Sequence, residues 1–285
     1  MTKVSLDEKT VENGISTISD KIPELSSFPS QDPNVKTQWV SLWLANAILF
    51  FTGLQFSVFL ASLYPYLQQI DTTADETFFG YIVAIYSVGQ MIASPIFGYW
   101  SNRTKTTRLP TIVGLVLQLL GNVLFCFAEA FTDNRKWIIF VARFIVGLGS
   151  GQAGVLRAYT ATASLPKDRH TAVSLASGSF ALGMVLGPGL QAAYTPIAYP
   201  GYTNGPFHLD MYTAAGYTCV IGNIASIVVM VVLFKEIYAA IDQQQNYSKT
   251  NRFRVLPKYD KMAAGICLWC WFCLIFCSIN GETYA

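Results

Sequence analysis

The sequence predicts an all-α, multi-pass membrane protein, and three observations carry that reading. Of 285 residues, 52% are hydrophobic and only 13% charged, against roughly a quarter charged in soluble domains. The charges gather in clusters. Between the clusters run apolar stretches of about twenty residues, long enough to cross a hydrocarbon core of about 30 Å at about 1.5 Å per residue. Backbone groups cannot stay unpaired in lipid, and membrane strands would be half as long and alternating, so these stretches are helices.

Residues 1–38 mix Lys3, Asp7, Glu8, Lys9, Glu12, Asp20, Lys21 and Glu24 with Ser, Thr and Pro. This composition predicts a disordered polar tail. It lacks an apolar segment behind a basic start, so the first span is expected to act as the insertion signal. Six spans follow at 39–63, 78–100, 110–131, 137–161, 171–195 and 211–234, making a six-helix unit over 39–234. A polar loop over 235–260 leads to a seventh span, which begins within 261–285 and is truncated by the end of the sequence.

Orientation follows from Lys and Arg, which concentrate in short cytoplasmic loops. Arg103, Lys105 and Arg108 lie between spans 2 and 3, Lys167 and Arg169 between 4 and 5, and Lys235, Lys249, Arg252, Arg254, Lys258 and Lys261 after span 6. The alternate loops hold Asp71, Asp75 and Glu76, then Asp133 with Arg135 and Lys136, then His208 and Asp210. A cytosolic amino terminus is expected. The basic residues sit at membrane edges, where anionic lipid is their partner at about 1 kcal/mol each, and nucleic-acid binding is excluded. The sequons at Asn102 and Asn246 then fall on the cytosolic side and stay unused.

Cys267, Cys270, Cys273 and Cys277 reproduce the spacing of an iron–sulfur run. On a helix, however, they form a stripe about 15 Å long among Leu, Trp and Phe, which reads as packing rather than cluster ligation. Cys126 and Cys219 fall inside spans, so no disulfide framework is expected. The two histidines, His170 and His208, lie on opposite sides of the membrane by this topology. No catalytic constellation, metal site, cofactor loop or strand is expected, and the protein is read as a non-enzyme.

Three motifs fall in order along the chain, after span 2, in span 4 and in span 5. Gly98-Tyr99-Trp100-Ser101-Asn102-Arg103, with a basic run to Arg108, follows span 2. Arg143-Phe144-Ile145-Val146-Gly147-Leu148-Gly149-Ser150-Gly151 lies in span 4, and Gly178, Gly183, Gly187, Pro188 and Gly189 lie in span 5. Together they resemble the signature loop, the helix-4 arginine–glycine pattern and the helix-5 Gly-Pro motif of the major facilitator superfamily. Asn102 stands where most members carry Asp, and the glycine usual after the arginine is missing. The resemblance implies the six-helix N-terminal half of a twelve-helix transporter fold plus the start of helix 7. Within the superfamily, Arg157-Ala158-Tyr159-Thr160-Ala161, Met211-Tyr212-Thr213 and Glu282 resemble a lysosomal branch, which implies lysosomal residence. Tyr238-Ala239-Ala240-Ile241 has the form of a tyrosine sorting signal and is read as an ordinary helix end.

The resemblance implies transport of a small solute by alternating access, coupled to protons or another ion. Polar groups inside spans mark a cavity or a partner helix. Arg143 and Arg157 lie close to four turns, about 21 Å, apart on one face of span 4, with small residues between. They lean towards an anionic or carboxylate-bearing solute. Asn46, Tyr86 and Gln90 are further cavity candidates, and Glu282 is a candidate partner for Arg143. Gly98, Asn102, Arg103 and Arg108 form the expected gating loop, with Arg103 capping carbonyls and Asn102 capping free amides. Gly183, Gly187 and Pro188 form the expected helix-5 kink. Span 3 presents Gln118, Asn122 and Glu129 on one face. A chain with one wall of the cavity is expected not to transport alone. The alternative reading is a seven-helix receptor.

Overall fold

A computed structural model describes residues 37–71, 73–131, 134–199, 201–204, 207–236 and 238, with 262–263, 265–270 and 273 beyond them. The chain divides into two units, Met1–Gln243 and Gln244–Ala285. In the second, 262–263, 265–270 and 273 are helical, with Met262, Ile266, Leu268 and Trp269 exposed. Cys277 and Glu282 lie outside the described residues.

The first unit is a bundle of six long helices. α1 spans Trp39–Ile70, α2 Glu76–Thr104 and α3 Arg108–Cys126. α4 runs Arg135–Ser150 and, past a turn at Gly151, Gln152–Ala163. α5 spans Arg169–Tyr194, and α6 spans Thr213–Val228 before closing in a π turn, Val229–Leu233. All six are long and apolar enough to cross a membrane, and the protein is an all-α membrane protein. Two expectations change. α3 ends at Cys126 and gives way to a one-turn 3-10 helix, Ala128–Ala130, so Glu129 stands outside it. The segment between α5 and α6 forms an antiparallel hairpin of β1 (Tyr202–Asn204) and β2 (Phe207–Leu209), with Tyr202 opposite Leu209. The sequence has no apolar alternation there to announce it.

Close backbone approach organises the bundle. The alternating glycines of α4 serve two neighbours, because residues four apart share a helix face and the residue between them faces away. A methyl group at Gly147 would lie 2.2 Å from Tyr86 O of α2, and one at Gly151 would meet Ala93 of α2 at 2.8 Å. Gly149 instead faces α3, where a methyl would stand 2.5 Å from Gly114 O. α1 and α5 pack in the same manner, since Gly183 leaves only 2.1 Å between a methyl and Phe50 O. α5 runs as one helix through Pro188.

Two apolar cores lie at opposite ends. One gathers Leu42, Ile48 and Leu49 with Leu115, Leu156, Tyr159, Met230 and Phe234, near the basic loops. The other gathers Phe59, Leu63, Tyr66 and Leu67 with Phe125, Ile139, Ala142 and Cys219, near the hairpin. We call these ends the basic-loop face and the hairpin face. Between the cores lies a belt of buried amides: Gln55 of α1, Gln118 and Asn122 of α3, Gln152 of α4 and Asn223 of α6. Close contacts set their levels. Gln118 lies against Gly149 and Gln152 against Gly114. Gly216 abuts Cys126, so Asn223, two turns further along an antiparallel helix, falls near Gln118. Amide atoms of all five have no protein hydrogen-bond partner.

Side-chain ties close the basic-loop face. Thr37 Oγ1 donates to Asp168 Oδ2 at 2.7 Å, and Ser41 Oγ donates to Lys235 O at 2.8 Å. Glu236 accepts from the Thr107 amide and from the Tyr238 hydroxyl. The Tyr238 ring also packs on Tyr159 at 5.6 Å, which makes it part of the fold and leaves it unlike a presented sorting signal. On the hairpin face, Asp71 accepts from the Thr73 hydroxyl and amide, and Lys136 stands 3.7 Å away. Those hydrogen bonds, and then Lys136, hold its carboxyl below the usual value.

Candidate functional site

Arg143 is the most unusual side chain in the bundle. It sits on α4, only 4% exposed, at the level of the hairpin-face core. Its guanidinium carbon lies 4.3 Å from the Phe59 ring centroid and 5.4 Å from that of Tyr86. The Tyr86 ring stacks in turn on Phe56, centroids 5.3 Å apart. No described carboxylate pairs with Arg143, and Nη1 has no hydrogen-bond partner. Two aromatic faces therefore hold a cation that burial would otherwise expel, each ring contact contributing about 2 kcal/mol when desolvated. Sequence reasoning offered Glu282 as the partner, and Glu282 lies outside the described residues.

A crevice opens onto this guanidinium between α1 and α2, lined by Phe56, Leu60 and Leu63 on one side and Ile82, Val83 and Tyr86 on the other. Its volume is about 10 Å³, room for about one water molecule. A larger open groove of about 530 Å³ runs between α2 and α4, lined by Tyr81, Ile85, Val88, Trp137 and Phe140. Its single cation, Lys136, is already engaged by Asp71 and by Thr73, whose hydroxyl accepts at 2.8 Å. Of these two, the small crevice ends on a polar group with an unused donor.

The other sequence candidates are spread out. Arg157 is exposed, its guanidinium 4.7 Å from the Phe180 ring of α5. Asn46 is 3% exposed, inside the bundle, with Oδ1 unpartnered. Tyr86 joins Arg143, whereas Gln90, one turn on, is half-buried. In the loop after α2, Gly98 has open space around it and Asn102 is exposed. The turn is made instead by Lys105, which closes α2 in the left-handed region at φ 54°. Arg103 reaches the Tyr99 hydroxyl at 3.0 Å rather than a helix carbonyl, and Arg108 takes the capping place by donating to Val231 O of α6. Gly187, like Gly183, is a packing position, against Ser57 of α1. Sequence reasoning missed Phe59 as the ring under Arg143, because an isolated Phe in an apolar span carries no distinguishing signal.

A buried helix-4 arginine, flanked by glycines that bring α2 and α3 into backbone contact, sits in a six-helix bundle whose sequence matches a known family over residues 45–284. The chain belongs to the Major Facilitator Superfamily. It is 34% identical over 233 residues to major facilitator superfamily domain-containing protein 8 of Xenopus laevis, covering 81% of this chain and 45% of that one. It is also 30% identical over 164 residues to an SPX domain-containing membrane protein of Oryza sativa subsp. japonica, covering 57% and 22%. A third relative is the class E tetracycline resistance protein of Escherichia coli, 26% identical over 173 residues and covering 58% and 41%. The chain thus spans less than half the length of these relatives. Superfamily membership sets the seven-helix receptor reading aside.

Proposed function

We propose that this chain supplies one six-helix half of an alternating-access transporter in a lysosomal or other endomembrane, with its basic-loop face in the cytosol. In this reading, Arg143 receives an anionic, carboxylate-bearing solute. Halves of this kind rock about a site near the bilayer midplane. One observation carries the proposal: a guanidinium held by two rings, with no carboxylate paired to it among the described residues and with a donor left over, at the end of a crevice. An arginine already satisfied by Asp or Glu would have nothing to offer a solute. Here the planar fork is free for bidentate recognition of a carboxylate. The crevice as it stands is occluded, and solute entry requires α1 and α2 to part where they touch only sparsely.

Ligand-induced stabilisation tests this on the chain itself. Purified protein in nanodiscs is heated with benzoate, inorganic phosphate, chloride or choline at matched ionic strength. An anion binding at 100 times its Kd stabilises the fold by about 2.7 kcal/mol. The expected result is a raised unfolding midpoint with benzoate that vanishes in Arg143→Gln. Equal benzoate shifts in the wild type and Arg143→Gln, or a shift with choline alone, overturn the proposal.

A further inference from the structure

The hairpin face carries a second polar site that the solute reading does not use. Glu129, in the 3-10 turn after α3, has a side chain only 8% exposed, with Oε2 3.7 Å from His208 Nε2 at the base of the hairpin. Two wholly buried polar side chains converge on it. The Tyr66 hydroxyl of α1 faces it. Asp210, ahead of α6, has its Oδ1 engaged by the amides of Tyr212 and Thr213, both at 2.7 Å, and by the Thr213 hydroxyl at 3.2 Å.

Those three donors at a helix amino terminus compensate the negative charge of Asp210. A second negative charge on Glu129 shares the same water-poor pocket, opposed by Asp210 and by burial. His208, and Arg135 at the start of α4, counter it, while Tyr199 and Tyr217 stand at its margin. Hydrogen-bond accounting points the same way. Glu129 Oε1 and Asp210 Oδ2 are buried acceptors without a partner, and the unpartnered Tyr66 hydroxyl can donate to only one of them. His208 Nδ1 is likewise buried without a partner, and a protonated Glu129 carboxyl would add a donor of its own beside the unpartnered Asp210 Oδ2.

We propose that Glu129 is a proton-binding site, and that its proton holds the β1–β2 hairpin and the start of α6 against the ends of α1 and α3. Burial first, and then Asp210, raises the Glu129 carboxyl above its ordinary value of 4.5, while His208 and Arg135 pull it down. The sign of the linkage follows. A carboxyl raised on folding contributes stability that is fully present below the ordinary value and is lost as pH climbs through the raised one. On this account the fold is firmest when the hairpin face meets acid. The inference is independent of Arg143, and its readout needs no solute.

The test is the unfolding midpoint of the full chain in nanodiscs from pH 4.5 to 8, for the wild type and Glu129→Gln, which fixes the neutral form. The two curves are expected to coincide at the acid end and to separate by several degrees as pH rises, with Glu129→Gln the more stable. His208→Ala, which removes a counter-charge, should move the wild-type transition to higher pH. Parallel curves, or Glu129→Gln the less stable at pH 8, overturn the proposal. Should Glu129→Gln fail to fold, infrared titration of the wild type decides instead. A protonated-carboxyl stretch that persists above the ordinary carboxyl range supports the site, and loss of that stretch at the ordinary value overturns it.

Discussion

Replacing Arg143 with methionine keeps an unbranched, flexible side chain, shortens it and removes its charge, and the structure fixes what is gained and lost. An arginine deep in a span costs about 2.5–3.5 kcal/mol on insertion scales, and here no described carboxylate offsets it. What offsets it is the pair of ring contacts at 4.3 and 5.4 Å, about 2 kcal/mol each at most. Methionine sulfur against the same rings restores about 0.3–1.5 kcal/mol per contact. These terms sum to between about 1 kcal/mol of loss and about 2.5 kcal/mol of gain, so Arg143→Met is expected to be near-neutral to stabilising, by about 1 kcal/mol at the centre of that range, equivalent to about 2–4 °C for a chain of this size. Thermal unfolding in one detergent, at one pH and without added anion, reads this directly. The same variant should lose the benzoate shift, so stability and ligand response move in opposite directions. An Arg143→Met variant destabilised by clearly more than about 1 kcal/mol would show that Arg143 is a structural member of the core, and would refute the reasoning that the fold carries it for a solute.

The α2–α4 contact sets a second outcome. Gly147→Leu must push Tyr86 O away from a methyl that starts at 2.2 Å, a backbone displacement beyond the about 1–3 kcal/mol of ordinary overpacking, and size-exclusion profiles should show aggregated protein. A monodisperse, wild-type-like Gly147→Leu would refute the close approach. Cys126 and Cys219, both buried, should label with N-ethylmaleimide only after denaturation, as read by peptide mass spectrometry. Labelling of either under native conditions would show that the helices around it open.

The six spans could be read directly because length without charge is a property of each segment alone, and lipid leaves such a segment one conformation. The glycines of α4 were legible as a small-residue stripe. Their division between α2 and α3 was not, since that depends on which neighbour stands on each side. The surroundings of Arg143 were hidden for a similar reason: Asn46 stood out as a polar group inside α1, but nothing in that apolar span announces that Phe59 turns to α4. Glu129 was visible in the sequence as a polar residue near a span end. Its meaning came from His208 and Asp210, about eighty positions later, which the hairpin folds back onto it.

The amide belt bears on how the chain is made. Gln118 and Asn122 lie in α3, Arg143 and Gln152 in α4, and Gln55 and Asn223 in α1 and α6. A helix entering lipid singly would have to carry these groups without neighbours, and polar residues are the costliest passengers for a span leaving the translocon. α3 and α4 meet through Gly114, Gly121 and Gly149, so pairing them shields one side of both at once. The arrangement favours retention of α3 until α4 emerges, and partition of the two as a hairpin. α1 would then remain a loose lodger beside the insertion machinery until α5 and α6 arrive to cover Gln55. Arrest of synthesis between α4 and α5 should accordingly leave an intermediate that chaperones of the endoplasmic reticulum membrane still hold.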